Sequence, residues 1–395
     1  MFRCVSVLVI AGLCLALVGC SNQNSVTVPF IKRPKDHVAV RSSPVEKIPG
    51  QRVQTTPFNN SIRIISGEEN STYSRTLDSL SEILSQRQIR LQPIASQGPL
   101  QDLVSLLHRA DIDTAIVQTD VIEGVASHVQ TAARERLRYL FQVSSKVVHV
   151  LAPRDITDIR QLEGRKVNIS RPGSDAHLTA GLMFEKLGIK PEFTTYDQDT
   201  AYQRLRAGEI QASILLASHP STEVLAFPSS GRFHLLPIVL EEGTSHYRSV
   251  QLTADEYPHL IETGQQVRTI AVGRILVVRD WPEESRRYKR LMNLAEVIDS
   301  HLDELKQSDQ GLQRGEIDLQ AAPGWQRFKP AQSVIDRRSR QADEQRAFER
   351  LITASGVCSM PLSTAMRERL YKEFIDWQRA RDRAAPSLTS GSSPQ

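Results

Sequence analysis

The sequence predicts an α/β protein shaped as a two-lobed clamshell, each lobe a mainly parallel sheet flanked by helices, with a helical C-terminal extension. Three patterns carry this expectation. A β-α-β-α-β succession starts at Ile62, and a second of the same order starts at Lys166. Long extended segments enter and leave the second succession, and amphipathic helices end the chain. Alternating strands and helices build parallel sheets covered on both faces, so two successive units imply two lobes. With 40% hydrophobic and 24% charged residues among 395, the chain has the profile of an ordinary globular protein with room for two cores. The 49 basic and 45 acidic residues leave a net charge of +4, too small a field to suggest a nucleic-acid partner.

At the N-terminus Arg3 precedes an apolar run, Val5 to Val18, and then Leu17-Val18-Gly19-Cys20 gives way to polar Ser21-Asn22-Gln23-Asn24. An apolar run of about 14 residues is too short to span a bilayer stably but suits a secretory signal. Residues 1–19 therefore read as a lipoprotein signal peptide. The Leu-Val-Gly-Cys tetrapeptide resembles a bacterial lipobox, in which the small residue admits the peptidase and the cysteine thiol takes the lipid. The resemblance implies lipidation at Cys20 and an address on the periplasmic face of the cell envelope. Ser21, where Asp would signal inner-membrane retention, implies the outer membrane over the inner. Cysteine usage agrees, because Cys4 and Cys14 leave with the signal and Cys20 carries lipid, so only Cys358 remains and no internal disulfide can form. Without a nearby His or second Cys, Cys358 reads as a buried structural thiol.

Residues 20–60 are polar and Pro-containing with little apolar periodicity, which predicts a flexible tether. Ile62 to Ile65 is a short buried strand, and Leu77, Leu80, Ile83 and Leu84 fall on one helical face. Ile89 to Ile94 reads as strand, Pro99 opens a helix carrying Leu100, Leu103, Val104 and Leu107, and Thr114 to Val117 is the third strand. In the second unit Lys166 to Ile169 is strand, Leu178 to Leu187 is helix ended by Gly188, and Glu192 to Thr195 is strand. A helix from Ala201 to Ala207 ends at Gly208, and Ala212 to Ala217 is the last strand.

Leu137 to Leu151 and Arg268 to Val278 are the long extended segments. A double crossover of this kind suits a hinge, because it lets one lobe rotate against the other. The expected lobes are 61–148 with 239–306, and 149–238. The helical extension at 307–383 holds a charged helix from Ala342 to Ile352 and a last helix opened by Pro361, with Met366, Leu370, Phe374 and Trp377 in one stripe. Such stripes are expected to pack on the first lobe. Residues 384–395 have the Pro/Ser/Gly composition of a disordered tail.

In open parallel sheets ligands bind beyond the carboxyl ends of the strands, where helix N-termini present unpaired N–H groups. The first such loop runs Ser66-Gly67-Glu68-Glu69-Asn70-Ser71-Thr72-Tyr73, and its counterpart runs Ser170-Arg171-Pro172-Gly173-Ser174-Asp175. Ser71, Thr72 and Ser174 could donate to a ligand from two lips of one cleft; they could equally be helix N-caps. A second pair of strand ends, Gln118-Thr119-Asp120 and Ser218-His219-Pro220, offers polar groups to the same crevice. His219 lacks a Ser, Cys or carboxylate constellation that would make it a catalytic base. No strained Ser elbow, metal-spaced His set or phosphate-binding loop is present, so neither an enzyme, nor a cofactor, nor a metal site is expected.

This ordered series resembles the TAXI-type solute receptors of TRAP transporters, which are periplasmic binding proteins of the second structural type. Ser71-Thr72-Tyr73-Ser74 is similar to the family's Gly-Thr-Tyr-Tyr, and Gln118-Thr119-Asp120 to its Gln-Ser-Asp. Arg171 to Ala176 resembles its Ala-Pro-Gly-Ser-Gly-Thr, and Ser218-His219-Pro220 its Gly-His-Pro. Over about Ile62 to Val278 the resemblance implies capture of a small polar solute, an amino acid or carboxylate, and delivery to a TRAP permease. It implies a ligand site at Ser71, Thr72, Tyr73, Gln118, Thr119, Asp120, Gly173, Ser174 and His219. Glu68, Glu69, Asn70 and Asp175 depart from the family's glycines, narrow the cleft and oppose an anionic solute. A signalling or scaffolding lipoprotein with a degenerate cleft is the alternative.

Overall fold

A computed structural model places strand β1 (Ser61–Ile65) beside β2 (Arg90–Ile94) and β3 (Thr114–Gln118), joined by helices α1 (Thr72–Gln86) and α2 (Pro99–His108). Residues 61–67, 72–228, 231–240, 246–302, 319–354 and 363–384 are described. The signal peptide, the tether, Cys20, Cys358 and residues 385–395 fall outside them. β1 pairs parallel with both neighbours, and β3 is buried at every position because helices cover both faces. A 3-10 turn at Thr119–Ile122 and helix α3 (Ser127–Arg136) then lead into β4 (Leu137–Pro153).

The second unit repeats the order: β5 (Lys166–Asn168), α4 (Asp175–Leu187), β6 (Glu192–Thr194), α5 (Gln198–Ala207) and β7 (Ala212–Ala217). Gly188 and Gly208 end α4 and α5 in the left-handed conformation, at φ 68° and 74°, as glycine at these caps predicts. The chain returns through α6 (Thr222–Leu225), β8 (Phe233–Leu235), β9 (Tyr247–Thr253) and β10 (Gln266–Arg279). Helices α7 (Arg286–Ser300), α8 (Lys329–Ala354) and α9 (Thr364–Ala384) follow.

All ten strands join one curled mixed sheet, ordered β2-β1-β3-β10-β4-β7-β5-β6, with β8 on β4 and β9 on β10. β4 and β10 run antiparallel down the middle and serve both halves. At about 3.3 Å per residue, a strand of 17 residues extends over about 55 Å, long enough to cross both lobes. Leu137 of β4 pairs with Arg279, whereas Val147 to Leu151 pair with β7 and Leu151 to Pro153 with β8.

Each half buries a core on either face of its sheet. In the first half, α1 and α7 supply Leu80, Leu84, Leu291 and Ile298 to one face, while α2 supplies Leu103 and Leu106 to the other. In the second half, Met183 and Phe184 of α4 fill one face and Leu205 of α5 the other.

Two expected boundaries shift. The sequence places residues 239–306 in the first lobe, but Leu252, Tyr257, Leu260 and Ile261 pack in the second lobe's core with Leu205 and Leu235. The cause is the register of β9, which pairs with the N-terminal part of β10, the part that faces the second lobe. The expected extension also starts inside the first lobe. Phe328 and Ala331 are buried with Tyr288 and Leu291, and Arg327 bridges in parallel to Tyr139. The stripe on α9 meets α8, with Tyr371 and Phe374 at ring-centroid distances of 5.2 and 5.6 Å from Phe348.

Candidate functional site

The carboxyl ends of β3 and β7 converge on the crossing strands. Gln118, the last residue of β3, pairs with Arg274 of β10. Ala217, the last of β7, pairs with Val147 of β4, which in turn pairs with Ala271 of β10. Positions 271 and 274 lie about 10 Å apart along one strand, so groups leaving the two strand ends share one junction.

The helix N-termini that border this junction meet backbone to backbone. Gly98, the N-cap of α2, has φ 135° and ψ 179°, a conformation essentially reserved for glycine. Gly173, just ahead of α4, has φ 83°. A Cβ placed on Gly98 would lie 2.0 Å from the Gly173 carbonyl oxygen, so the close approach requires glycine at position 98. Farther along α4, Leu178 packs against the first lobe's core, and Lys186 Nζ pairs with Glu123 Oε2 at 2.8 Å. Glu123 Oε1 lies 3.2 Å from His246 Nε2.

Behind this contact lies a buried polar seam. Gln118 Nε2 donates to Thr179 Oγ1 at 3.2 Å, and Thr179 Oγ1 donates to Asp120 Oδ2 at 2.8 Å. Tyr247 OH donates to the same Oδ2 at 3.1 Å. Residues 118 and 120 come from the first unit, Thr179 from the second and Tyr247 from β9, so the seam ties separate segments together. Gln118 Oε1 and Asp120 Oδ1 are buried and accept no hydrogen bond. Nearby in the first unit, Asp102 Oδ2 accepts from the Gly67 N–H at 3.1 Å, and Asp102 Oδ1 accepts none.

Burial dominates the electrostatics. It pushes the Asp120 carboxyl up to about 7, against the opposing hydrogen bonds from Thr179 and Tyr247, and the charge of Asp175 pushes the same way. Asp102 is pushed up to about 6 by burial, with Ser96 and Gly67 opposing and Asp175 adding to the rise. The Tyr247 phenol is raised by burial and by Asp120, so it remains a donor at neutral pH.

The nine expected site residues divide. Gln118 and Asp120 form the seam. Thr119 turns away: its hydroxyl donates to the His246 carbonyl at 3.1 Å, and its own carbonyl accepts from Trp325 Nε1 at 2.9 Å, so it braces the turn. Ser174 is the N-cap of α4, accepting from the His177 N–H at 3.3 Å while donating to the Arg171 carbonyl at 2.7 Å. Its hydroxyl proton is therefore engaged within its own loop, which is the helix-cap alternative for this residue. Gly173 contributes the close approach to Gly98. His219 does not join Gln118 and Asp120. Its Nε2 lies 3.0 Å from Glu256 Oε2, and its ring stacks on Tyr257, whose hydroxyl bonds His149 in the second lobe. The carboxylate drew the ring, correcting the expected shared crevice. Ser71 lies outside the described residues with Glu68, Glu69 and Asn70, while Thr72 and Tyr73 start α1 with side chains outside the description.

Sequence reasoning missed Gly98, Asp102, Thr179 and Tyr247. Gly98 carried a signal, a glycine just ahead of the helix-opening Pro99. Thr179 and Tyr247 gave none, since each becomes polar lining only through contact with the other lobe's strand end. Among the described residues, no group of three or more His, Cys, Asp or Glu is placed to hold a metal ion, and no helix is long and apolar enough to cross a membrane.

Several solved structures are similar to this chain. PhnD1 from Prochlorococcus marinus, in complex with methylphosphonate, shares 11% identity at a TM-score of 0.44, covering 72% of this chain and 98% of that one. A TctC solute binding protein from Polaromonas shares 16% at 0.39, covering 64% and 90%. The alkanesulfonate-binding protein SsuA from Xanthomonas axonopodis pv. citri, bound to MOPS, shares 16% at 0.34, covering 81% and 90%. All three likenesses are distant. The model of the NMT1-like family matches residues 70–323, well over half of the sequence, and the chain is a member of that family.

Proposed function

We propose that this chain is a lipid-anchored receptor on the periplasmic face of a bacterial envelope. It captures a small polar solute between its lobes and presents it to a TRAP-type permease. One observation carries the reading: the end of β3 in the first lobe meets α4 of the second lobe and β9 at a buried seam where Gln118 Oε1 and Asp120 Oδ1 lack any donor. A buried acceptor left unsatisfied costs about 1–3 kcal/mol, and two on neighbouring residues of one lobe junction suggest a place for a donor from outside the protein. The crossing strands β4 and β10 give the lobes a common hinge. No covalent chemistry enters this reading. The TAXI-type assignment, the anchor at Cys20 and the outer-membrane address draw on the motif order and on the N-terminal sequence.

A thermal-shift screen of amino acids and dicarboxylates on the mature chain tests the receptor. A ligand that binds only the closed form stabilises it by about 2.7 kcal/mol at a hundredfold excess over Kd. A melting temperature unmoved by every candidate at saturation leaves the scaffolding lipoprotein as the better account. Cys20→Ser tests the anchor: it should abolish metabolic labelling by palmitate and release the protein from membranes.

A further inference from the structure

We infer that Glu123 latches the lobes together: one carboxylate oxygen holds Lys186 of the second lobe, the other faces His246 at the head of β9, and a strap at residues 322–325 fixes that histidine in place. For its purpose the inference rests on the receptor reading, to which it adds the control of closure. Glu123 follows the 3-10 turn at the end of β3, whereas Lys186 lies in the last turn of α4, so the pair crosses from one lobe to the other. Lys186 Nζ lies 2.8 Å from Oε2, and His246 Nε2 lies 3.2 Å from Oε1. The side chains of Lys186 and Glu123 are only 26% and 23% exposed, and that of His246 1%. Salt screens such a sheltered pair less than a surface one, and removing either partner leaves the other charge short of water. Gly124, next along, gives α4 its seat, because a Cβ there would lie 2.5 Å from Leu178 Cδ1.

The strap lies just ahead of α8 and is tied to the first lobe at three points. The Ala322 N–H donates to the Tyr139 hydroxyl at 3.0 Å, Arg134 Nη1 donates to the Gly324 carbonyl at 3.2 Å, and Trp325 Nε1 donates to the Thr119 carbonyl at 2.9 Å. Gly324, at φ 79°, lies against the imidazole, where a Cβ would come within 2.3 Å of His246 Cε1. Thr119 Oγ1 donates to the His246 carbonyl, so the histidine is gripped between the end of β3 and the strap. Burial holds the imidazole below its ordinary range, against Glu123 and the Pro323 backbone and with the charges of Lys186 and Arg134. Near neutral pH the charge of Glu123 is therefore left to Lys186.

The test is amide hydrogen exchange of the mature chain at neutral pH, followed by mass spectrometry over residues 119–124 and the start of α4, with β5 as an internal reference. Exchange follows local opening. Glu123→Gln and Lys186→Met should each speed exchange at the lobe contact about tenfold with β5 unchanged, as loss of one charge-assisted hydrogen bond implies. The double variant should be no faster than either single one, and Glu123→Lys combined with Lys186→Glu should restore the parent rate. Arg204→Met, which removes the Arg204–Glu209 pair inside the second lobe, should leave the rate as it is. Gly324→Ala should match the latch variants, whereas Gly264→Ala, at φ 81° with nothing within 4 Å of its added Cβ, should not. Unchanged rates in both single variants, rates that add in the double, or a swap that stays fast overturn the latch. A Gly324→Ala chain no faster than Gly264→Ala overturns the strap. The measurement needs no solute, so the latch can fail while the receptor reading stands. A chain that latches yet binds nothing in the thermal-shift screen overturns the receptor reading alone.

Discussion

Gly98→Ala strikes the contact between the lobes. In the closed arrangement the new Cβ would lie 2.0 Å from the Gly173 carbonyl oxygen, where ordinary contact begins near 3.4 Å. The obstacle is backbone, so no side-chain rotation relieves it, and α2 and α4 must separate by more than 1 Å. The residue also occupies φ 135°, ψ 179°, which costs a residue with a Cβ about 1–3 kcal/mol. Gly164→Ala separates the two effects, because Gly164 has φ 67° with nothing within 4 Å of its added Cβ. That control should show backbone strain of about 1–2 kcal/mol and no change in shape. Gly98→Ala should lower the melting temperature further, enlarge the radius of gyration measured by small-angle scattering, and weaken solute binding at least tenfold, about 1.4 kcal/mol against closure. A Gly98→Ala protein with the melting temperature, radius and affinity of Gly164→Ala would refute the claim that closure depends on this approach.

Other consequences follow from the same geometry. Asp120 binds its proton more tightly in the folded chain than in the unfolded one, so its contribution is fully present below about pH 4 and is lost as pH rises through about 7. Thermal melts of Asp120→Asn should therefore show higher stability than the parent at pH 8 and a flatter profile between pH 4 and 7; an unchanged profile would refute the burial argument. Leu178→Ala removes an α4 side chain from the first lobe's core and should cost about 1–3 kcal/mol by denaturant titration while enlarging the radius of gyration. Arg290 Nη2 holds Asp113 Oδ1 at 2.9 Å, with Asp113 only 8% exposed at its side chain. Arg290→Ala should cost about 1–3 kcal/mol with solute affinity unchanged, since the pair ties α7 to the start of β3, the opposite end of that strand from Gln118.

Several elements were legible because their signals are local. Ile62 to Ile65, Thr114 to Val117 and Ala212 to Ala217 are short, predominantly apolar runs without strict alternation, the pattern of strands covered on both faces, and each lies in a strand. Gly188 and Gly208 stop helices where a left-handed cap allows it. Helix α3 gave no such signal, since its sequence is polar and buries only Ala133. β9 was missed for a similar reason, being exposed or half-buried everywhere except Leu252.

The site divides along the same line. Gln118 ends a buried strand that runs parallel to β1 and Asp120 follows it, and that position places both at the strand's carboxyl end whatever the rest of the chain does. Hydroxyls at helix starts are ambiguous in sequence because capping and ligand binding ask for the same residue types; in Ser174 the capping partner was nearer. The sequence alone determined the alternation of strands and helices, the two matching units and the crossing segments, all set by short-range periodicity. Only the tertiary structure decided that His219 turns to Glu256, that Thr179 and Tyr247 close on Asp120, and that two glycines touch across the lobes. Those contacts join residues distant in sequence, and their energies depend on burial that exists only once both lobes have packed.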